Sequence, residues 1–189
     1  MKAPGLIFIP DISGFTALMN DISLEVAVEV LPDLLNSIIS ANRMDLRVAE
    51  IEGDAILFYR TGAPPTLDEV VGQCQVFCHE FRQRLVALRD AHSFSEISRG
   101  ILLNLGLKFI VHYGDFTALT LRERVKLVGR EVVVAHRLLK NQVDCTKYVL
   151  FTESFLTASG NTLLPDLLSG ADTYEHIGRV AYQYLKLIR

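Results

Sequence analysis

The sequence predicts an α+β fold, an antiparallel-rich sheet covered by helices on one face. Three observations carry this. Apolar runs of strand length are joined by tight turns in pairs. Helical periodicity occupies separate stretches instead of alternating strictly with single strands, which disfavours a doubly wound parallel sheet. The 189 residues, half of them hydrophobic, suffice for one domain with a substantial core, and neither a linker nor an internal repeat divides them, so 1–189 reads as a single domain.

Leu6 to Ile9 is an apolar run that stops before Asp11, a buried strand meeting its turn. Ser13 can cap a helix beginning at Gly14. Phe15, Leu18, Ile22, Val26, Val30, Leu34 and Ile38 recur at helical spacing, and Pro32 should break or bend the helix between 14 and 42. "LRVAEIEGDAILFYR" is a β-hairpin with an acidic tip at Glu52-Gly53-Asp54. Thr66 caps a helix running to about residue 90, and 91–100 is polar and turn-like. Leu102 to Val111 reads as a strand, Gly114-Asp115 as a turn into Phe116 to Leu121, and "RVKLVG" as the next strand. Glu131 to Asn141 is a helix, "KYVLFT" a buried strand and Glu153 to Ala158 a short helix. A loop rich in Gly, Asp and Pro leads to "RVAYQYLKL", an alternating edge strand.

Composition excludes several roles. A net charge of −3 argues against a nucleic-acid partner, which needs a concentrated basic face. The densest basic stretch, Arg122, Arg124, Lys126 and Arg130, alternates with Glu123 and Glu131 and reads as a solvated hairpin. No apolar run reaches the roughly 18 residues of a membrane span, and the start is too short and too broken by Pro10 for a signal peptide. The expected location is the cytoplasm. Cys74, Cys78 and Cys145, an odd number, fit a reducing compartment. Cys74 and Cys78 lie one helical turn apart and read as core thiols; with His79 they would leave a zinc site a ligand short.

Asp11 ends one strand and Asp54 sits at a hairpin tip. If the strands are neighbours, both carboxylates reach one rim of the sheet. Close carboxylates repel, so either a cation sits between them or one takes up a proton, and Mg²⁺ or Mn²⁺ is often held by one or two carboxylates plus substrate phosphates. Gly14 opens the next helix, whose first N–H groups favour phosphate. A plainer reading also fits: Asp is common both at helix caps and at hairpin tips.

These residues resemble the class III nucleotidyl cyclases, the adenylate and guanylate cyclase catalytic domains. "FIPDISGFTALM" and "EIEGDAILFY" are together the specific motifs; "FIVHYGDF", "LVGREVVVAHRLL", "YVLFTESF" and the closing strand come after them in family order, from about Leu6 to Leu187. A stand-alone bacterial branch of uncharacterised members is the suggested match. The resemblance implies a ferredoxin-like sandwich working as a head-to-tail homodimer, with nucleoside triphosphate bound at the interface. It assigns metal binding to Asp11, Asp54 and the Ile12 carbonyl, and phosphate binding to Ser13, Gly14, Phe15 and Thr16. Two metal ions would activate the ribose 3′-oxygen and neutralise the leaving pyrophosphate, with Arg137 as the transition-state cation. Base recognition falls to Glu50 and Lys126. Glu50 suits the guanine edge and not adenine, and Lys126 stands where adenylate cyclases usually carry Asp. His112 reads as structural.

The chain departs from that pattern in two places. Val133 replaces a ribose-orienting asparagine and can neither donate nor accept. Ile177 stands about where the family has a triphosphate lysine, with His176 and Arg179 nearby. Three functions therefore remain open: a cyclase of non-adenine preference, a non-catalytic module that senses nucleotide, and an interaction domain.

Overall fold

The computed structural model describes residues 2–91, 94–160 and 165–187. In chain order the elements are β1 (Ala3–Ser13), α1 (Phe15–Asp21), α2 (Leu24–Ser40), β2 (Arg47–Glu52), β3 (Ala55–Thr61), α3 (Leu67–Ala91) and α4 (Glu96–Asn104). Then come β4 (Gly106–Leu121), β5 (Arg124–Val128), α5 (Arg130–Leu138), β6 (Tyr148–Thr152), α6 (Glu153–Ala158), β7 (Leu168–Tyr174) and β8 (Gly178–Lys186). The sheet runs β2-β3-β1-β4-β6-β8-β7, with β5 paired to β4. Only the β4–β6 pairing is parallel among the described strands. The predicted α+β fold with an antiparallel-rich, helix-covered sheet is what the chain adopts.

Central β1 has apolar side chains on both faces. Leu6, Phe8 and Ile12 pack with α1 to α4 and α6, and Ile7 and Ile9 with α5. The second face is thus covered too, by α5, where one helical face had been expected. Gly5 fits because a Cβ there would meet the Arg60 carbonyl at 2.6 Å and the Phe116 ring at 2.8 Å.

Several boundaries differ from the sequence reading. The break after α1 falls at Ile22, and Ser23 caps α2 by accepting from the Val26 amide; Pro32 lies inside α2. Gly14, at φ 87°, takes the α1 cap position in place of Ser13. Thr66 caps α3 as expected, and the Glu69 carboxylate accepts in return from the Thr66 amide at 2.7 Å. The stretch read as turn and strand contains α4, capped by Ser95; of the predicted turn at 91–100, residues 92 and 93 lie outside the described residues. β4 runs through Gly114-Asp115 without turning. Within the predicted Gly/Asp/Pro loop, of which 161–164 lie outside the described residues, Leu168–Tyr174 forms β7 and takes the edge, so β8 is interior.

Candidate functional site

Strand register brings the two aspartates together. Asp11 lies in β1 across from Ala55 of β3 and Lys108 of β4. Asp54 occupies the β2–β3 turn, and its carbonyl accepts the Ile12 amide at 3.3 Å. The Lys108 ammonium stands 3.4 Å from an Asp11 carboxylate oxygen and donates to the Leu139 carbonyl at 3.3 Å. Sequence reading missed Lys108, because nothing local in "GLKFI" tells which strand residue will face it.

The electrostatics match a half-neutralised site. Burial pushes the Asp11 carboxyl above its usual range; Lys108 opposes this and the Asp54 charge adds to it. Burial also raises Asp54, against its own backbone hydrogen bond and Lys108. Two partly buried like charges therefore share one lysine.

The donor set selects the kind of metal that fits. Among the described residues no group of three or more His, Cys, Asp or Glu converges as a zinc-type site would require. Two carboxylates suit Mg²⁺ or Mn²⁺, which take their remaining oxygens from water and phosphate. Burial holds the Cys74 thiol well above its usual range and pushes Cys78 up to about 11, so neither is a ready thiolate. The residues expected to hold phosphate come directly after Ile12 in the chain: Ser13 is half-buried, Gly14 and Thr16 are exposed, and the Phe15 side chain is in the core, leaving its backbone for any ligand.

The expected base-reading residues also meet. Lys126 of β5 donates to the Glu50 carboxylate of β2 at 2.6 Å. They line a cleft of about 320 Å³ with Leu57, Val132, Val133 and His136. His136 stands 3.6 Å from the Glu52 carboxylate. Val133 is 49% exposed, and Arg137, one turn further along α5, is exposed, its side chain in no hydrogen bond or ion pair among the described residues. No ion pair joins Arg137 to Asp11 or Asp54 among the described residues, although the Leu139 carbonyl, two residues on, accepts from the same Lys108 that pairs with Asp11. At the β7–β8 tip the Ile177 carbonyl accepts from Arg130 at 3.0 Å.

His112 is buried and fully engaged. Its Nδ1 lies 2.9 Å from the Thr152 hydroxyl and 3.1 Å from that of Ser154, and its Nε2 lies 2.9 Å from the Glu131 carboxylate. Hydrogen bonding to His112 lowers Glu131, against burial. The cluster ties β4, α5 and α6 together at the end of the sheet away from Asp11.

Comparison with known proteins places this architecture. Residues 31–148 match the family profile described as "Protein of unknown function (DUF2652)". The chain is 26% identical over 157 residues to the uncharacterized protein Rv2561/Rv2562 of Mycobacterium tuberculosis, covering 83% of this chain and 73% of that one. The guanylyl cyclase Cya2 superposes with a TM-score of 0.67 at 17% identity, over 97% of this chain and 92% of that one. The adenylyl cyclase CyaB from P. aeruginosa gives 0.64 at 17% identity, over 100% and 97%. The guanylate cyclase domain of RhGC from Catenaria anguillulae, in complex with GTP, gives 0.65 at 18% identity, over 97% of both chains. The fold is that of class III nucleotidyl cyclase catalytic domains.

Proposed function

The chain belongs to the DUF2652 family and has the class III cyclase fold, and on that premise we propose that it binds a divalent cation and a nucleoside triphosphate between two copies of itself, in the cytoplasm, and cyclises a nucleotide other than ATP. The observation that carries this is the convergence of Asp11 and Asp54 on one rim, with both carboxyls raised by burial and Lys108 opposing the rise at each.

In the reaction the ribose 3′-hydroxyl gives up its proton to water and its oxygen bonds to the α-phosphorus as the bond from α-phosphorus to the bridging oxygen of the β-phosphate breaks, and pyrophosphate leaves with that oxygen. Asp11 and Asp54, with the Ile12 carbonyl, would hold the cation. Mg²⁺ or Mn²⁺, when bound, supplies positive charge against the phosphate oxygens. Lys108, which pairs with Asp11, would place its ammonium charge beside that cation site. Arg137 of the second copy stabilises charge developing on the transferred phosphorus. Its exposure, and the exposed Leu119, Leu121, Val128 and Val133 on the same flank, suit a shared interface. Glu50 accepts from the N1–H and amine of guanine, while Lys126 donates to O6. Adenine offers an acceptor at N1 that a carboxylate cannot serve.

A second reading, a sensor that binds nucleotide without turning it over, is favoured by Val133. An exposed valine one turn from Arg137 gives the ribose no hydrogen bond. One experiment separates the two. Purified protein is incubated with Mn²⁺ and each of the four nucleoside triphosphates, and cyclic product and pyrophosphate are measured beside thermal shifts. Product formation lost in Asp54→Ala supports cyclisation. A metal-dependent shift without product supports the sensor. No shift with any nucleotide rejects both and leaves an interaction domain.

A further inference from the structure

The His112 cluster holds three groups in an order that the nucleotide reading does not use. Ser154, the second residue of α6, is exposed, and its hydroxyl lies 3.1 Å from the His112 Nδ1. The other ring nitrogen, Nε2, lies 2.9 Å from the Glu131 carboxylate. Gly114 makes this reach possible. A Cβ there would lie 2.7 Å from the Glu131 Cγ, so its absence lets the Glu131 stem cross β4 toward the ring. Arg130 donates to the second Glu131 oxygen at 3.2 Å, so both oxygens of that carboxylate are held.

The protons assign each group a role. Hydrogen bonding to His112 lowers Glu131, so at neutral pH it is an anion that can only accept. Nε2 therefore carries the ring hydrogen, and Nδ1 keeps its lone pair. That lone pair faces the Ser154 hydroxyl and, at 2.9 Å, the Thr152 hydroxyl. The Ser154 proton reaches Nδ1 directly or through Thr152, whose oxygen is 2.9 Å from both. A hydroxyl within reach of a base, the base held on its far side by a third group, is the arrangement that activates a nucleophile. Ser154 opens on a cavity of about 630 Å³ that Pro4, Tyr113 and Val128 also line, within the roughly 300–1,000 Å³ of small-molecule sites.

We propose that Ser154 is a nucleophile that takes an acyl group from a small activated ester, with His112 as its general base and Glu131 as the residue that positions the base. The Ser154 Oγ bonds to the carbonyl carbon as its proton passes to the His112 Nδ1. The bond from that carbon to the leaving oxygen then breaks, and the departing alcohol takes the proton. Water attacks the acyl-serine by the same route, which releases the acid and restores Ser154. An ester with a weakly basic leaving group is the matching class, because such a group departs without a second acid. The site shares no residue with the nucleotide reading and does not depend on it.

The full chain, without nucleotide or metal, is treated with 4-nitrophenyl acetate. Nitrophenolate release is followed, and the acetyl group is located by peptide mass. Acetylation of Ser154 is expected, with slower turnover as water clears it. Ser154→Ala, at an exposed position, should lose that release. His112→Gln should slow acylation about a hundredfold or more, the scale of general-base catalysis. In Glu131→Gln the amide can donate to Nε2, which moves the ring hydrogen to Nδ1 and blocks the base. The wild-type rate should rise with pH to a plateau as the imidazole loses its proton, and Glu131→Gln should flatten that rise. The charged and titratable groups around the ring and cavity are Glu131 and Arg130 of α5, Tyr113 and Asp115 of β4, and Lys2, which pairs with Asp115 at 3.0 Å. Circular dichroism checks that each variant is folded. The proposal is overturned by wild type without acetyl on Ser154, by release equal in wild type and Ser154→Ala, or by acylation unchanged in folded His112→Gln or Glu131→Gln.

Discussion

Asp11 and Asp54 work against folding while no cation is bound. Both folded-state carboxyls are raised, chiefly by burial. The folded state therefore holds protons more tightly than the unfolded one, and stability falls as pH rises from about 4 through the raised values. The Asp11→Asn, Asp54→Asn double variant should lose that downward component. Urea denaturation from pH 4 to 7 should show wild type losing stability relative to the variant, with Mn²⁺ reversing the loss in wild type alone. Glu131 has the opposite sign. Its folded value is lowered by His112, so its contribution is present above about pH 4 and lost as pH falls through the folded value. Glu131→Gln should remove this acid-sensitive part, and the same denaturation series checks it. Asp11 and Asp54 were legible because each interrupts an apolar pattern locally, at a strand end and a turn. Lys108 was not, because its pairing depends on the register of β1 against β4, strands far apart in sequence.

Helix and strand boundaries obey the same division between local and distant causes. Thr66 and Glu69 form a capping box readable from the chain, and α3 begins where they predict. α4 was hidden because Ile101, Leu103, Leu105, Leu107 and Phe109 alternate as a strand would; the Ser95 cap, which accepts from the Ser98 amide at 3.0 Å, was the overlooked signal. Pro32 shows tertiary packing overriding propensity. It is exposed inside α2, whose Val30, Leu34, Leu35 and Ile38 are buried, and that burial holds the helix through it. Pro32→Ala restores a backbone donor, so thermal denaturation should show a gain of about 1 kcal/mol or more. Gly5→Ala should do the reverse. Its Cβ meets a backbone carbonyl of β3 and the Phe116 ring of β4, neither able to yield cheaply. A loss of about 1–3 kcal/mol is expected in the same measurement.

At the scale of the whole molecule, the fold class was readable from paired strands and segregated helices, whereas α5's position across the sheet was not. No local pattern says which face a helix will cover. That position matters, because it presents Arg137 to solvent, with no ion pair to Asp11 or Asp54 among the described residues. Under the proposed function, in which Asp11 and Asp54 hold the cation and Arg137 acts on the transition state, the arginine would come from another copy. The symmetry of such a pair makes a quantitative prediction. Asp54→Ala and Arg137→Ala should each abolish nucleotide turnover alone. In an equimolar mixture, half the dimers combine the two variants, and each of these holds one intact site of two. Activity should therefore return to about a quarter of the wild-type value if subunits exchange freely. Recovery near that value, measured as cyclic product and pyrophosphate released with Mn²⁺, establishes that residues from two copies share each site. A mixture as inactive as its components, with subunit exchange verified by light scattering and native mass spectrometry, removes Arg137 from the shared site and with it the paired arrangement.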